Sequence, residues 1–416
     1  YDDLKPYYDK VDKLIGVFGT KENLYNEPDG FFLPPPKPRL HELYYIKAAK
    51  KADIKVIPSR LSVITKRINN DRGVCFYCNG CARSCNVYAD FSSGSCLIFP
   101  AQNAGGQIDL YVNSMVRTVE TNPEGKATGV SYINKDDGNE YKLNGKVVVL
   151  AASACSSARI LLNSKSKQHP NGLGNSSDLV GKYLHDSTGG DMMAFLPQLT
   201  NRKIYNEDGV GGMHVYSPWW LDNKELDFPR GYHIEVWGGM GAPTYGTGFN
   251  VNHFNKFFGL KAGGYGDVLR SDMKKYYGST IGFSGRGESV AMKSNYCEID
   301  PNKVDKYGVP VLRFNYKWTD YEIKQAKHMQ DTFEEIIHNM GGQPLWNKPG
   351  IESNYGLTKP GEIIHEVGTT RMGKNPKDSV VNQFERMHDV ENVFVVDAGP
   401  FVSQADKNPT WTIMAL

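Results

Sequence analysis

Two places in this 416-residue sequence bring together side chains able to do chemistry. One is the carboxyl-terminal stretch, with His365 inside Ile364-His365-Glu366-Val367-Gly368-Thr369-Thr370-Arg371-Met372-Gly373, a turn at Asp397-Ala398-Gly399-Pro400, and Asn408-Pro409-Thr410. An alcohol releases hydride readily only as its O–H proton leaves, and a neutral imidazole is a suitable acceptor for that proton. An asparagine amide beside it would hold the hydroxyl. Taken alone, His365 is more readily a hydrogen-bonded core histidine, and Asn408 a helix N-cap. The other place is Cys75, Cys78, Cys81 and Cys85, a C-x2-C-x2-C-x3-C run.

That spacing matches the thiolate run of bacterial ferredoxins, although Asn86 stands where ferredoxins carry proline. Three readings stay open for it: an iron–sulfur relay, a structural zinc, or unliganded or disulfide-paired thiols. Cys96, Cys155 and Cys297 are isolated in the sequence and read as small buried apolar residues.

The elements that must position the carboxyl-terminal groups are legible. Val393 to Val396 is short and β-branched and is stopped by Asp397 to Pro400, so it reads as a buried strand ending in a tight turn. Asn408 before Pro409, followed by Thr410-Trp411-Thr412-Ile413-Met414-Ala415-Leu416, reads as an N-cap, a first-turn proline and an apolar helix. Its free N–H groups would stabilise an anion. Val147 to Leu150 reads as a buried parallel strand feeding a helix over 156–163.

These residues resemble a family. "HEVGTTRMG", "VFVVDAGPF" and "NPTWTIMAL", in this order, look like the carboxyl-terminal signature of the glucose-methanol-choline flavoprotein oxidoreductases, closest to the bacterial sugar dehydrogenases. The resemblance continues through "YDDLKPYYDKVDKLIGVFG", "VVVLAASACSSARILLNS" and "DKYGVP". It implies FAD as cofactor, His365 and Asn408 as the catalytic pair, and flavin contacts from Asp397, Ala398, Asn408, Pro409 and Thr410, with Val116 at the adenine end. In the fructose and gluconate dehydrogenase branch a cysteine-rich segment of different spacing carries an iron–sulfur cluster. By that analogy Cys75, Cys78, Cys81 and Cys85 are the metal-ligand candidates. The resemblance further implies a sugar or polyol substrate, a small subunit, a cytochrome or quinone acceptor, and a periplasmic location. A metal-binding electron-transfer subunit and an oxygen-using oxidase are the alternatives.

The fold class expected is α/β (α+β): an incomplete Rossmann-like FAD-binding domain plus a substrate domain with an antiparallel sheet. The expected boundaries are a helical entrance segment over 1–55, the FAD domain over 56–185 and 351–416, and the substrate domain over 186–350. No G-x-G-x-x-G lies between a strand and a helix; Gly209-Val210-Gly211 and Gly239-Met240-Gly241 lack the third glycine. We therefore expect a piece of a longer protein whose nucleotide-binding βαβ precedes residue 1. Within the chain, 61–68 and 110–116 read as strands, 129–143 as a hairpin turning at Asp136 to Asn139, and Thr319 to Glu322 as the capping box of a long helix.

Composition narrows the partners. A formal charge of +2 gives no electrostatic case for nucleic acid or an acidic membrane surface. Hydrophobic residues make up 40% and mean hydropathy is −0.48, with no apolar run long enough to span a bilayer. Small polar ligands fit better, and Trp219, Trp220, Trp237, Tyr245 and Phe249 offer rings for sugars, or equally core for a sheet.

Overall fold

The computed structural model describes residues 2–25, 27–205, 209–218, 226–240 and 265–416. Trp219, Trp220, Tyr245 and Phe249 therefore lie outside the described residues. Helices run over Lys5–Ile15 (α1), Leu40–Lys51 (α2), Phe99–Asn103 (α3), Ala154–Asn163 (α4), Asp267–Tyr276 (α5), Asp320–Asn339 (α6) and Thr410–Ala415 (α7). The chain forms two compact units, each assembled from three segments.

The first unit comprises Tyr1–Ile108, Thr188–Gly287 and Asp320–Thr358. At its centre lies a six-stranded antiparallel sheet whose longest members are Thr188–Phe195, Thr280–Gly287 and Tyr232–Gly238. Strand periodicity sends Met192, Ala194, Ile234, Val236, Ile281 and Phe283 to one face, where they pack on Met329, Phe333, Ile336 and Ile337 of α6. Asp191, Glu235 and Arg286 take the other face, the guanidinium 3.5 Å from Asp191 and 3.9 Å from Glu235. Trp237 also stands there, 44% exposed.

Residues 61–68, expected as a strand, form no ladder. Phe18 bridges Leu61 and Val63 bridges Asp90, one pairing on each side. Each neighbour runs alongside for too few residues to make a ladder, and the buried Arg72 side chain ties the region together instead. Its guanidinium donates to the carbonyls of Ile15, Tyr88 and Ala89 at 2.5, 2.8 and 2.9 Å.

The second unit comprises Asp109–Ser187, Glu288–Thr319 and Lys359–Leu416. Ser114–Thr121, Ala127–Asn134 and Glu140–Asn144 form an antiparallel meander, with the hairpin turned at Gly138 (φ 74°). The first of these strands starts at Ser114 rather than Leu110 because its partner ends at Asn134, which pairs with Ser114. Val148–Leu150 pairs in parallel with Val393–Val395 and feeds α4, as the β-branched runs predict. A core of Val148, Leu150, Leu161, Leu173, Val381, Val393 and Val395 fixes the two strand ends that carry the site.

Candidate active site

His365 leads into a segment tied down by backbone. Val367, two residues on, and His185 exchange N–H···O bonds of 2.9 and 3.1 Å. Downstream, Gly368, Thr370 and Met372 donate to the carbonyls of Ala398, Gly399 and Pro400 at 3.0, 3.1 and 2.9 Å. The HEVGTTRMG stretch is thereby docked onto the turn that ends the Val393–Val395 strand.

The side chains around His365 are polar and buried. Asp186, 1% exposed, accepts N–H bonds from His365 (2.9 Å), Ser187 (2.8 Å) and Gly361 (3.1 Å). Burial pushes its pKa up to about 6, with the charge of Glu366 adding and the backbone N–H groups opposing. The Ser187 hydroxyl lies 3.2 Å from His365 Nδ1 and accepts a 2.8 Å bond from the Gln404 amide. Neither Asp186, Ser187 nor Gln404 was singled out by the sequence, since each makes sense only once two distant segments are folded together.

The turn after the strand is equally constrained. Asp397 accepts from Ser157 Oγ at 2.5 Å and from Gly399 N at 2.8 Å, and burial raises its pKa. A Cβ at Gly399 would lie 2.2 Å from Thr370 Oγ1, so this position admits no side chain. Thr370 Oγ1 is itself buried without a protein partner. Ala398 packs with Ala154, Val367 and Phe401.

The helix at the carboxyl end departs from expectation. It runs from Thr410 to Ala415 with Pro409 as the N-cap residue, and no side chain caps it. Pro409 takes the cap position by its carbonyl, which accepts from Ile413 N at 3.0 Å, although its own dihedrals are helical (φ −78°, ψ −18°). The Asn408 side chain is exposed, as is that of Thr410, while Pro409 is buried.

A cleft of about 700 Å³ runs beside the Val148–Leu150 strand, lined by Val116, Met115, residues 147–152, Ser156 and Arg159. Val116 and the start of α4 thus share one open space whose size suits an organic cofactor. Glu385 lies behind the turn, 5% exposed at φ 58°, with one carboxylate oxygen unpartnered. Burial and the charge of Asp397 push its pKa up to about 7.

The cysteine run forms a site of its own in the first unit. Cys75, Cys78, Cys81 and Cys85 all line one cavity of about 220 Å³. The loop is clasped by the stretch around Gly209: Cys78 bridges Gly209, Asn79 N donates to its carbonyl (2.9 Å), and Gly211 N reaches Cys81 Sγ (3.2 Å). Tyr77 N likewise donates to Cys75 Sγ at 3.3 Å. Burial raises the pKa of Cys75 and Cys81. None of the seven cysteines is in a disulfide, and among the described residues no three His, Cys, Asp or Glu side chains are grouped to hold a single metal ion. Cys297 is buried, as expected, whereas Cys96 and Cys155 are half-buried.

Among the described residues no helix is long and apolar enough to cross a membrane. The amino- and carboxyl-terminal models of the GMC oxidoreductases match residues 37–188 and 293–416. The chain is 28% identical over its whole length to a 2-methyl-1,2-propanediol dehydrogenase of Mycolicibacterium austroafricanum, spanning 72% of that protein. It is 25% identical to the gluconate 2-dehydrogenase flavoprotein of Pantoea cypripedii and 24% to the fructose dehydrogenase large subunit of Gluconobacter japonicus, spanning 69% and 72% of them. Its fold is similar to that of pyridoxine 4-oxidase from Mesorbium loti, with a TM-score of 0.64 at 13% identity over all of this chain and 75% of that one. The motifs around His365, Asp397 and Asn408 and both family models agree: the chain belongs to the GMC oxidoreductases, an enzyme family whose cofactor is FAD.

Proposed function

We propose that this protein oxidises a carbinol carbon of a sugar or polyol, with His365 as the group that takes the hydroxyl proton, and that its electrons leave to an external acceptor. The observation carrying this reading is the double tethering of His365, by its backbone to Asp186 and by Nδ1 to Ser187, which fixes the imidazole in place within a buried polar cluster. Residues available to hold FAD are Val116 on the 700 Å³ cleft, Asp397 and Ala398 in the turn, and Asn408, Pro409 and Thr410 before α7. FAD, when bound, supplies the hydride acceptor. Asn408, relieved of capping, is available to hydrogen-bond the hydroxyl. In the intact protein His365→Ala should lower turnover by about a hundredfold to ten-thousandfold while flavin content stays near normal. An unchanged turnover number would refute the assignment.

The shared cavity favours a second component. Cys75, Cys78, Cys81 and Cys85 line one space, which is what an iron–sulfur cluster would need, although among the described residues the thiols are not drawn together as a metal-ligand group. Such a group would supply one-electron transfer to the acceptor. Small-subunit and cytochrome or quinone partners and a periplasmic location accompany this reading, motivated by the gluconate and fructose dehydrogenase relatives.

A further inference from the structure

We propose that the outer face of the six-stranded sheet carries a subsite for a pyranose, with Trp237 as its stacking platform and Asp191 with Arg286 as the reader of two adjacent ring hydroxyls; the ligand class rests on the sugar or polyol reading above. The three side chains converge over one strand, Thr280–Gly287. In its register Gly282 lies between Trp237 and Met193, and Ser284 lies between Glu235 and Asp191. Trp237 leans over Gly282, where a Cβ would lie 2.6 Å from the indole Cδ1 and 3.0 Å from Nε1, so the ring occupies the space a side chain would have taken. Asp191 reaches over the strand from the opposite side, and its Oδ1 accepts the Ser284 hydroxyl. Arg286 rises from the strand itself, with Nη1 3.5 Å from Asp191 Oδ1 and 3.2 Å from the Gly285 carbonyl. Gly282, Ser284 and Arg286 are alternate residues, so the positions beneath indole, carboxylate and guanidinium follow one another at steps of about 7 Å.

Internal packing leaves this arrangement unexplained. Trp237 is 44% exposed, and among the described residues no other ring and no cation lies against it. The Asp191 side chain is half exposed, and among the described residues neither its Oδ2 nor Arg286 Nη2 makes a hydrogen bond. An acceptor and a donor thus stand side by side. Two neighbouring hydroxyls satisfy that pattern, one giving its proton to the carboxylate and the other accepting from the guanidinium. The indole supplies what hydroxyl recognition lacks, because its negative face attracts the weakly positive C–H hydrogens that a pyranose gathers on one side of its ring. An acyclic polyol carries the same hydroxyls but no such flat C–H face. Platform and ion pair together therefore select for the ring form of the sugar.

The test is saturation-transfer difference NMR on the intact flavoprotein without electron acceptor, using methyl α-D-glucopyranoside, D-xylose and D-glucitol as probes. The ring C–H protons of a pyranose should be saturated more strongly than any C–H proton of D-glucitol. That signal should disappear in Trp237→Ala and survive in part in Trp237→Phe. Titrated by the same signal, the dissociation constant of the pyranose should rise about tenfold in Trp237→Ala, the loss of one stacked contact. It should also rise in Arg286→Lys, which keeps the charge and removes the fork. Melting temperature and flavin content equal to the parent's show that the fold is intact in each variant. Equal saturation of pyranose and D-glucitol, saturation that survives Trp237→Ala, or no saturation of any probe overturns the subsite. Its failure is distinct from that of the catalytic reading: a protein that oxidises acyclic alcohols through His365 but contacts no pyranose loses the subsite and keeps its base, whereas retained turnover in His365→Ala fells the base and leaves the saturation pattern standing.

Discussion

Asn408 illustrates how a residue's spare capacity bears on function. A side chain that caps a helix has its oxygen committed to a backbone N–H, and replacing it by alanine typically costs about 1 kcal/mol. Here Pro409 occupies the cap position and Asn408 is exposed. Asn408→Ala should therefore leave thermal stability within about 0.5 kcal/mol of the parent, the range of ordinary surface changes, while turnover on an alcohol falls. A marked drop in melting temperature, with turnover per folded molecule preserved, would show that the residue is structural after all. The sequence named His365 and Asn408 because both sit in a contiguous motif. Asp186, Ser187 and Gln404 escaped it because their roles depend on hydrogen bonds across 179, 178 and 217 positions of chain, which no local pattern encodes.

At the scale of elements, the strand ending at Val395 and the helix after Ser153 were legible because their apolar periods are unambiguous. The cysteine loop was legible only as a spacing. What holds it is a separate stretch, and the decisive position there is a glycine: a Cβ at Gly211 would lie 2.6 Å from Cys81 Cβ and 3.2 Å from its sulfur. Gly209-Val210-Gly211 had been weighed as a fragment of a nucleotide-binding turn; its place is against the cysteines, where close approach excludes a side chain. If the four thiols hold iron and sulfide, Gly211→Ala should reduce iron and acid-labile sulfide although it removes no ligand. Cys81→Ser should bleach the brown absorbance and slow delivery to a one-electron acceptor, with single-turnover flavin reduction continuing. Full iron content in Gly211→Ala would mean that the clasp does not shape the site, and zinc or no metal in the parent would end the cluster reading.

Over the whole molecule, the two units carry carboxylates whose contributions to stability run in opposite directions with pH. In the first unit burial opposes ionisation of Glu42, but the hydrogen bond and charge of Arg39, with His41 and His214 assisting, bring its pKa down to about 2. A depressed carboxylate stabilises above its unfolded pKa of 4.5, and that contribution is lost as pH falls toward 2. Glu42 ties the start of α2 to His214 N at 2.7 Å, so acid should loosen that join first. In the second unit Asp186 and Glu385 are raised, to about 6 and about 7, chiefly by burial. A raised carboxyl contributes fully below its unfolded pKa, and the contribution disappears as pH rises through the folded value. A carboxyl moved from 4.5 to about 7 costs on the order of 3 kcal/mol once ionised. Asp90 and Asp191 in the first unit are raised as well, by burial, so both units should soften somewhat toward neutrality. The contrast is nonetheless readable by amide hydrogen exchange corrected for the intrinsic pH dependence of exchange. Between pH 5 and pH 7.5 protection around Glu385 and the Val393–Val395 strand should fall, and Glu385→Gln should flatten that slope by removing the ionisation while keeping the shape. Protection around α2 should hold over the same interval and drop only below about pH 4, a drop that Glu42→Gln should abolish by lowering protection at all pH values. A second unit equally protected at pH 5 and pH 7.5 would show that Asp186 and Glu385 find their charge compensated, and the neutral-pH softening would then have no source in these two groups.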